Sequence, residues 1–180
     1  SNMGLRYRFN LLLTLIMIVF IVTLMFVMMT SSKNSILEGV ESAHRVTMQL
    51  LDTVIVSSAQ NPDWGTSNTL MAQFLVQLGY VRSNDIYLYE VENNLVYKTP
   101  KSTYRREFEP PEWFSTFIAP KKMVGTRDIR SGRLIVSSNP SGAIREAWVS
   151  IESIFFTAML FFVFINFIAY KALGGWLRPI

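Results

Sequence analysis

Ile154-Phe155-Phe156-Thr157-Ala158-Met159-Leu160-Phe161-Phe162-Val163-Phe164-Ile165-Asn166-Phe167-Ile168-Ala169-Tyr170 runs for 17 residues without a formal charge. A helix needs about 20 predominantly apolar residues to cross a bilayer, so this stretch predicts a membrane span. Only ten residues follow it, Lys171 to Ile180, ending in Leu177-Arg178-Pro179-Ile180. They are too few to fold on their side of the membrane, and the chain reads as an input region whose output module is missing.

Working outward, a second apolar run lies at the other end. Leu11 to Met29 is 19 residues of Leu, Ile, Met, Val and Phe interrupted only by Thr14 and Thr23. It exceeds the roughly 7–15-residue apolar core of a signal peptide, and Met28-Met29-Thr30-Ser31-Ser32 offers no small-x-small cleavage site, which predicts an uncleaved anchor. Two spans then enclose about 120 residues, enough for one small domain with its own core.

Charge sets the expected orientation. All 13 acidic residues and 13 of the 17 basic ones lie between the runs, leaving Arg6, Arg8, Lys171 and Arg178 outside them. Basic residues that flank spans stay in the cytoplasm, and long loops cross largely regardless of their own charge. Both termini are therefore expected in the cytoplasm, with residues 31–153 on the far side of the membrane. The sequence pI of about 9.5 follows from this topology, and no nucleic-acid partner is expected. Cysteine is absent, so a periplasmic domain has no disulfides and depends on its apolar core. Ser1-Asn2 ahead of Met3 is read as a scar of expression.

Along the chain, Ile36, Val40, Ala43, Thr47, Leu50 and Val54 fall at alternating steps of four and three, widened by Leu37, Leu51 and Ile55. This spacing predicts that the first membrane helix continues to about Ser58 and packs either on a second helix or on its own domain. After the Asn61-Pro62-Asp63-Trp64-Gly65 loop, one of Thr66, Ser67 or Asn68 caps a helix whose buried stripe is Leu70, Met71, Phe74, Leu75 and Leu78, closed by Gly79. Ile86 to Val91 and Leu95 to Thr99 alternate as two strands of a hairpin around Glu92-Asn93-Asn94. Pro110-Pro111-Glu112 suits a helix start with proline at the first position, carrying Trp113, Phe114 and Phe117. Lys121 to Ile129 and Arg133 to Ser138 read as a second strand pair turned through Ser131-Gly132. Asn139-Pro140 opens the last helix, whose Ile144, Trp148, Ile151 and Phe155 lead unbroken into the second span. The expected fold is α+β, one antiparallel sheet with long flanking helices between two transmembrane helices.

Glu38-Gly-Val-Glu41-Ser-Ala-His-Arg-Val-Thr-Met-Gln-Leu50-Leu51, the hairpin Ile86 to Thr99, Pro111-Glu-Trp113-Phe114, the Gly132-Arg-Leu-Ile-Val strand and Asn139-Pro140 with Ile144-Arg-Glu-Ala-Trp148 together resemble one family. It is the extracytoplasmic sensor domain shared by LapD-type cyclic-di-GMP receptors and MoxY-type sensor histidine kinases. The exit Leu177-Arg178-Pro179-Ile180 resembles the first residues of a HAMP linker. The resemblance implies a bacterial inner-membrane protein with residues 31–153 periplasmic, a PAS-like domain, a homodimer and a HAMP relay to a cytoplasmic output. The opening Met-Gly-Leu-Arg-Tyr-Arg-Phe-Asn and the Glu-x-x-Glu helix are more similar to the kinase branch. The expected division is 1–9 cytoplasmic, 10–30 first transmembrane helix, 31–153 sensor domain, 154–173 second transmembrane helix and 174–180 start of HAMP.

Chemistry is sparse. His44 is the only histidine, so no nucleophile–base arrangement is expected, and the Glu41-x-x-His44 spacing lacks the further carboxylates of a metal site. No catalytic residue, metal or cofactor is expected, and the fragment itself is expected to have no enzymatic activity. Tyr87, Tyr89 and Tyr97 with Trp113, Phe114 and Phe117 could line a ligand cavity, with Arg127, Arg130 or Arg133 holding an anion. The competing reading makes the aromatics core and the arginines solvated. An exposed Trp113-Phe114 would instead be a protein-binding patch. Trp148, Asn166, Gly174, Gly175 and Pro179 are the expected signal relay. Asn166 needs a partner in hydrocarbon: its counterpart in a second copy, or Thr14 or Thr23. The expected function is the sensor of a two-component histidine kinase that answers a small molecule or a periplasmic protein. The alternatives are a LapD-like cyclic-di-GMP receptor binding a periplasmic protein and a chemoreceptor.

Overall fold

The structure is a computed structural model that describes residues 2–59, 68–79, 81–100, 109–129 and 132–176, with side chains for all of these except 2–3, 58–59, 68–70 and 173–176. Its elements in chain order are α1 (Asn2–Ala59), α2 (Asn68–Leu78), β1 (Asn84–Glu90), β2 (Leu95–Lys98), α3 (Glu112–Ile118), β3 (Val124–Ile129), β4 (Gly132–Ser138) and α4 (Ser141–Trp176). The chain divides into two units, one of residues 1–32 and 147–180, the other of residues 33–146. The backbone of α1 and α4 is helical through both division points.

In the first unit, α1 and α4 carry windows of mean hydropathy 3.1 and 2.1, only 6% of each buried. Both are long and apolar enough to cross a membrane, and their large side chains, Phe26 and Leu160 among them, face outward. The Arg6 guanidinium lies 5.3 Å from the Tyr170 ring centroid, and the Lys171 ammonium 4.9 Å from that of Phe167. The basic flanks of the two apolar runs thus lie at one end of the helix pair. α4 continues through Gly174 and Gly175 to Trp176, so the chain is helical at that pair. Leu177 to Ile180, with Pro179, lie outside the described residues.

The second unit is built on a four-stranded antiparallel sheet in the order β2-β1-β4-β3. β1 and β2 form the expected hairpin: Asn93 takes φ 64° and its amide donates to the Glu90 carbonyl at 2.9 Å. Alternation divides each strand between two faces. Ile86 and Leu88 of β1 with Leu134 and Val136 of β4 point to one face, where Met48 and Leu51 of α1 and Met71 and Leu75 of α2 complete the core. Gly79, at φ 69°, ends α2 and donates its amide to Leu75 at 3.0 Å, the left-handed cap expected there. The residues preceding Asn68 that were candidates for its start lie outside the described set.

Strand ends shift by one or two residues, β1 running Asn84–Glu90 where Ile86 to Val91 is expected, and larger differences fall at β3, α3 and α1. β3 begins at Val124 and leaves Lys121 to Met123 irregular. Pro111 sits just outside α3 as its cap, at φ −58° and ψ 149°, with its carbonyl accepting the amides of Phe114 and Ser115. On α1 the buried stripe is Ile36, Val40, Thr47, Met48 and Leu51, while Leu50 is exposed. At about 100° per residue, the eleven steps from Val40 to Leu51 return to within about 20° of the same direction, whereas Leu50 points about 80° away. The helix therefore offers the sheet Leu51 where a strict heptad would offer Leu50.

Candidate functional site

The residues that join the sheet to the long helices are polar, and each is held by more than one contact. Asn84 opens β1 and is almost fully buried. Its Nδ2 donates to the Arg82 carbonyl at 3.1 Å and to Thr47 Oγ1 at 3.3 Å, while its Oδ1 lies 3.3 Å from His44 Nδ1. A backbone carbonyl only accepts, so the amide nitrogen must face Arg82 and the amide oxygen must face His44. His44 therefore donates from Nδ1. One buried amide thus ties β1 to two successive turns of α1.

A second seam joins β3 to α1. Gly125 packs where a Cβ would meet the Met48 side chain, and two residues later Arg127 forms an ion pair with Asp52 through Nε at 2.7 Å and Nη2 at 3.3 Å. The Arg127 hydrogen bond, aided by its charge and opposed by burial, holds the Asp52 carboxyl below its ordinary range. A third contact joins β2 to α2, where Tyr97 Oη donates to the Leu75 carbonyl at 3.0 Å and burial pushes the phenol pKa up.

The start of α4 is held in the same way. The Asn139 amide donates to the Ser83 carbonyl at 2.8 Å, its Nδ2 donates to Asp85 at 3.1 Å, and its Oδ1 accepts the Ser141 amide at 3.2 Å. Asn139 caps the helix and bridges it to β1 at once. Arg82 and Glu146 add an exposed pair at 3.5 Å.

The aromatic and basic residues expected to line one cavity are distributed elsewhere. Tyr97 pairs with Leu88 across β1 and β2, so it joins the helix-covered face. Tyr87 and Tyr89 lie on the opposite face with ring centroids 6.4 Å apart, and Lys98 stands 5.6 Å over Tyr87. Arg127 is committed to Asp52 on the covered face. Arg133 pairs with Asp128 at 2.9 Å on the opposite one. On α3, Phe114 is fully buried and Trp113 is exposed. The strand register separates the tyrosines, and the helical turn separates neighbours 113 and 114 by about 100°. Arg130 lies outside the described residues.

Asn166 donates from Nδ2 to the Phe162 carbonyl of its own helix at 3.1 Å. Trp148 is half-buried on α4. Among the described residues no group of three or more His, Cys, Asp and Glu side chains could hold a metal. Asp52, Asn84 and Asp85 were not singled out from sequence. The available signal was a lone carboxylate directly after Leu50-Leu51 and a polar pair opening an otherwise apolar strand.

The sheet's polar anchors are thus His44, Thr47 and Asp52 on α1, the Leu75 carbonyl on α2, and Asn139 at the start of α4. Residues 25–148, more than half of the chain, match the family model described as LapD/MoxY periplasmic domain. No curated protein and no solved structure matches the chain.

Proposed function

The chain belongs to the LapD/MoxY periplasmic domain family, and from that premise we propose that it is the sensor region of a bacterial two-component histidine kinase. Its PAS-like domain occupies the periplasm, both termini lie in the cytoplasm, and α4 leads through a HAMP linker to the kinase. The observation that carries this reading is the unbroken α1. One helix of 58 residues holds both the apolar run and the residues His44, Thr47, Met48, Leu51 and Asp52 that grip the sheet. α4 repeats the design from its Asn139 anchor onward. A ligand or protein that displaced the sheet would displace both helices with it, and the transmitted signal is a choice between two packings of the pair.

The working unit in this reading is a homodimer. Val46 and Leu50 lie four apart on α1 and are exposed, an apolar pair suited to a second copy. Tyr87 and Tyr89, half-buried on the sheet face opposite Ile86 and Leu88, supply the contact surface for a small molecule or a periplasmic protein. The family description names LapD beside MoxY, which keeps a cyclic-di-GMP receptor that grips a periplasmic protein as the second reading.

The test uses the natural full-length protein in native membranes. Incubation with radiolabelled ATP is expected to phosphorylate it on histidine. No phosphorylation, together with saturable binding of cyclic-di-GMP to the cytoplasmic side, would overturn the kinase reading in favour of the second.

A further inference from the structure

α3 presents two apolar pairs, each four residues apart and therefore each on one side of a helix. Phe114 and Ile118 are fully buried, whereas Trp113 and Phe117 are 60% and 40% exposed. Burial in the domain explains the first pair only. Pro110-Pro111 before the helix and Pro120 after it confine the segment to a fixed short turn.

The height of this helix along α1 follows from a single contact. Lys33 Nζ lies 4.9 Å from the Phe117 ring centroid. Lys33 is four positions beyond Met29, the last residue of the first apolar run, a rise of about 6 Å. Phe117 thus meets a lysine that follows the first apolar run by only four residues of sequence. Lys121 and Lys122 follow α3 and are exposed, as are Glu109 ahead of it and Glu112, its first residue. Tryptophan with a second aromatic, flanked by lysines, is the composition that favours the boundary between headgroups and acyl chains.

We propose that α3 is a lipid-surface foot: Trp113 and Phe117 seat in the headgroup layer of the bilayer from which α1 emerges, and Lys33, Lys121 and Lys122 face anionic phosphates. The proposal rests on the reading of α1 as a membrane span. It gives the sensor a direct contact with the membrane surface outside its two spans, and makes bilayer composition one of its inputs.

The chain has no cysteine, so Trp113→Cys and Phe117→Cys each give one spin-label site. Thr116→Cys, exposed on the same helix, reports the same depth without removing either ring. Val19→Cys serves as the mid-span control and Asn93→Cys, at the hairpin turn, as the aqueous one. In vesicles of phosphatidylcholine with phosphatidylglycerol, relative accessibility to oxygen and to a water-soluble nickel chelate reads depth. Val19 is expected deep, Asn93 aqueous, and positions 113, 116 and 117 at the phosphate level. Lys121→Gln with Lys122→Gln is expected to move the 113 label toward water. Labels at all three α3 positions that match Asn93 while Val19 reads deep would overturn the foot and leave the span intact. Labels immobilised and shielded from both reagents, as a protein partner would make them, overturn it equally. An aqueous Val19 would bring down the span and the foot together.

Discussion

Arg127 of β3 holds Asp52 of α1 with two donors, Nε to Oδ1 at 2.7 Å and Nη2 to Oδ2 at 3.3 Å. Planar guanidinium and carboxylate meet edge to edge, the geometry that makes arginine hard to replace by lysine. The pair spans 75 positions of sequence and fixes where the β3 edge of the sheet sits along the helix. Both side chains remain over 40% exposed, so solvent and salt screen the attraction.

Because the folded state lowers the Asp52 pKa beneath its ordinary value of 3.8, the stabilisation is complete above that value. It is lost as pH falls through the lowered one. Asp52→Asn is expected to lower the melting temperature at neutral pH and to flatten its further decline in the acid range. Circular-dichroism melts of the chain in detergent, between neutral pH and strong acid, check this. Parallel curves for the two proteins would refute it.

Tyr97→Phe removes the donor to the Leu75 carbonyl and is expected to cost about 0.5–1.5 kcal/mol. Burial raises the phenol pKa, so native stability is full below the ordinary value of 10.0 and falls as pH rises through the higher one. The phenylalanine variant should lack that alkaline loss. Urea denaturation at neutral pH and in alkali measures both effects.

Two glycines of the sheet should respond differently to alanine. At Gly132 a Cβ would overlap the Tyr89 carbonyl oxygen, which is backbone and cannot step aside. At Gly125 it would meet Met48 Sδ at 2.6 Å and His44 Nε2 at 3.4 Å, and the thioether can turn away. Gly125→Ala is expected to cost about 1–3 kcal/mol. Gly132→Ala should cost more and break the β1–β4 pairing, seen as lost protection of the Tyr89 amide in hydrogen exchange, while the Glu90 amide, held by the Asn94 carbonyl, stays protected.

Asn84→Ala leaves the Arg82 carbonyl and the Thr47 hydroxyl without their shared donor in a buried place, an expected loss of about 1–3 kcal/mol. Glu92→Ala, on the exposed hairpin turn, should stay within about 0.5 kcal/mol. Denaturation midpoints of the two variants compared with the parent decide whether Asn84 is a structural anchor.

Much of this fold is written locally. The period-two run from Ile86, Asn93-Asn94 between apolar stretches, Gly79 and Asn139-Pro140 each encode their element with short-range chemistry, and all four elements form. What local pattern cannot hold is the pairing of distant segments. Tyr97 shares a face with Leu88 and not with Tyr87 because of the register across the hairpin, which contains an irregularity between Leu88 and Tyr89. Arg127 reads as a solvated strand arginine until α1 places Asp52 opposite it. Trp113 and Phe114 are equally aromatic, and only the direction of the domain tells which is buried. The candidate pocket tyrosines divide between faces for the same reason: they share a residue type, whereas a face is assigned by parity and register.

The hydrogen bond between His44 and Asn84 has a practical corollary. His44 is the sole imidazole in the chain, and it sits at the joint between helix and strand with its donating nitrogen assigned. Its ring resonances form a single set in a proton spectrum, so the opening or closing of that joint on stimulation can be followed by magnetic resonance at natural abundance, with no label added.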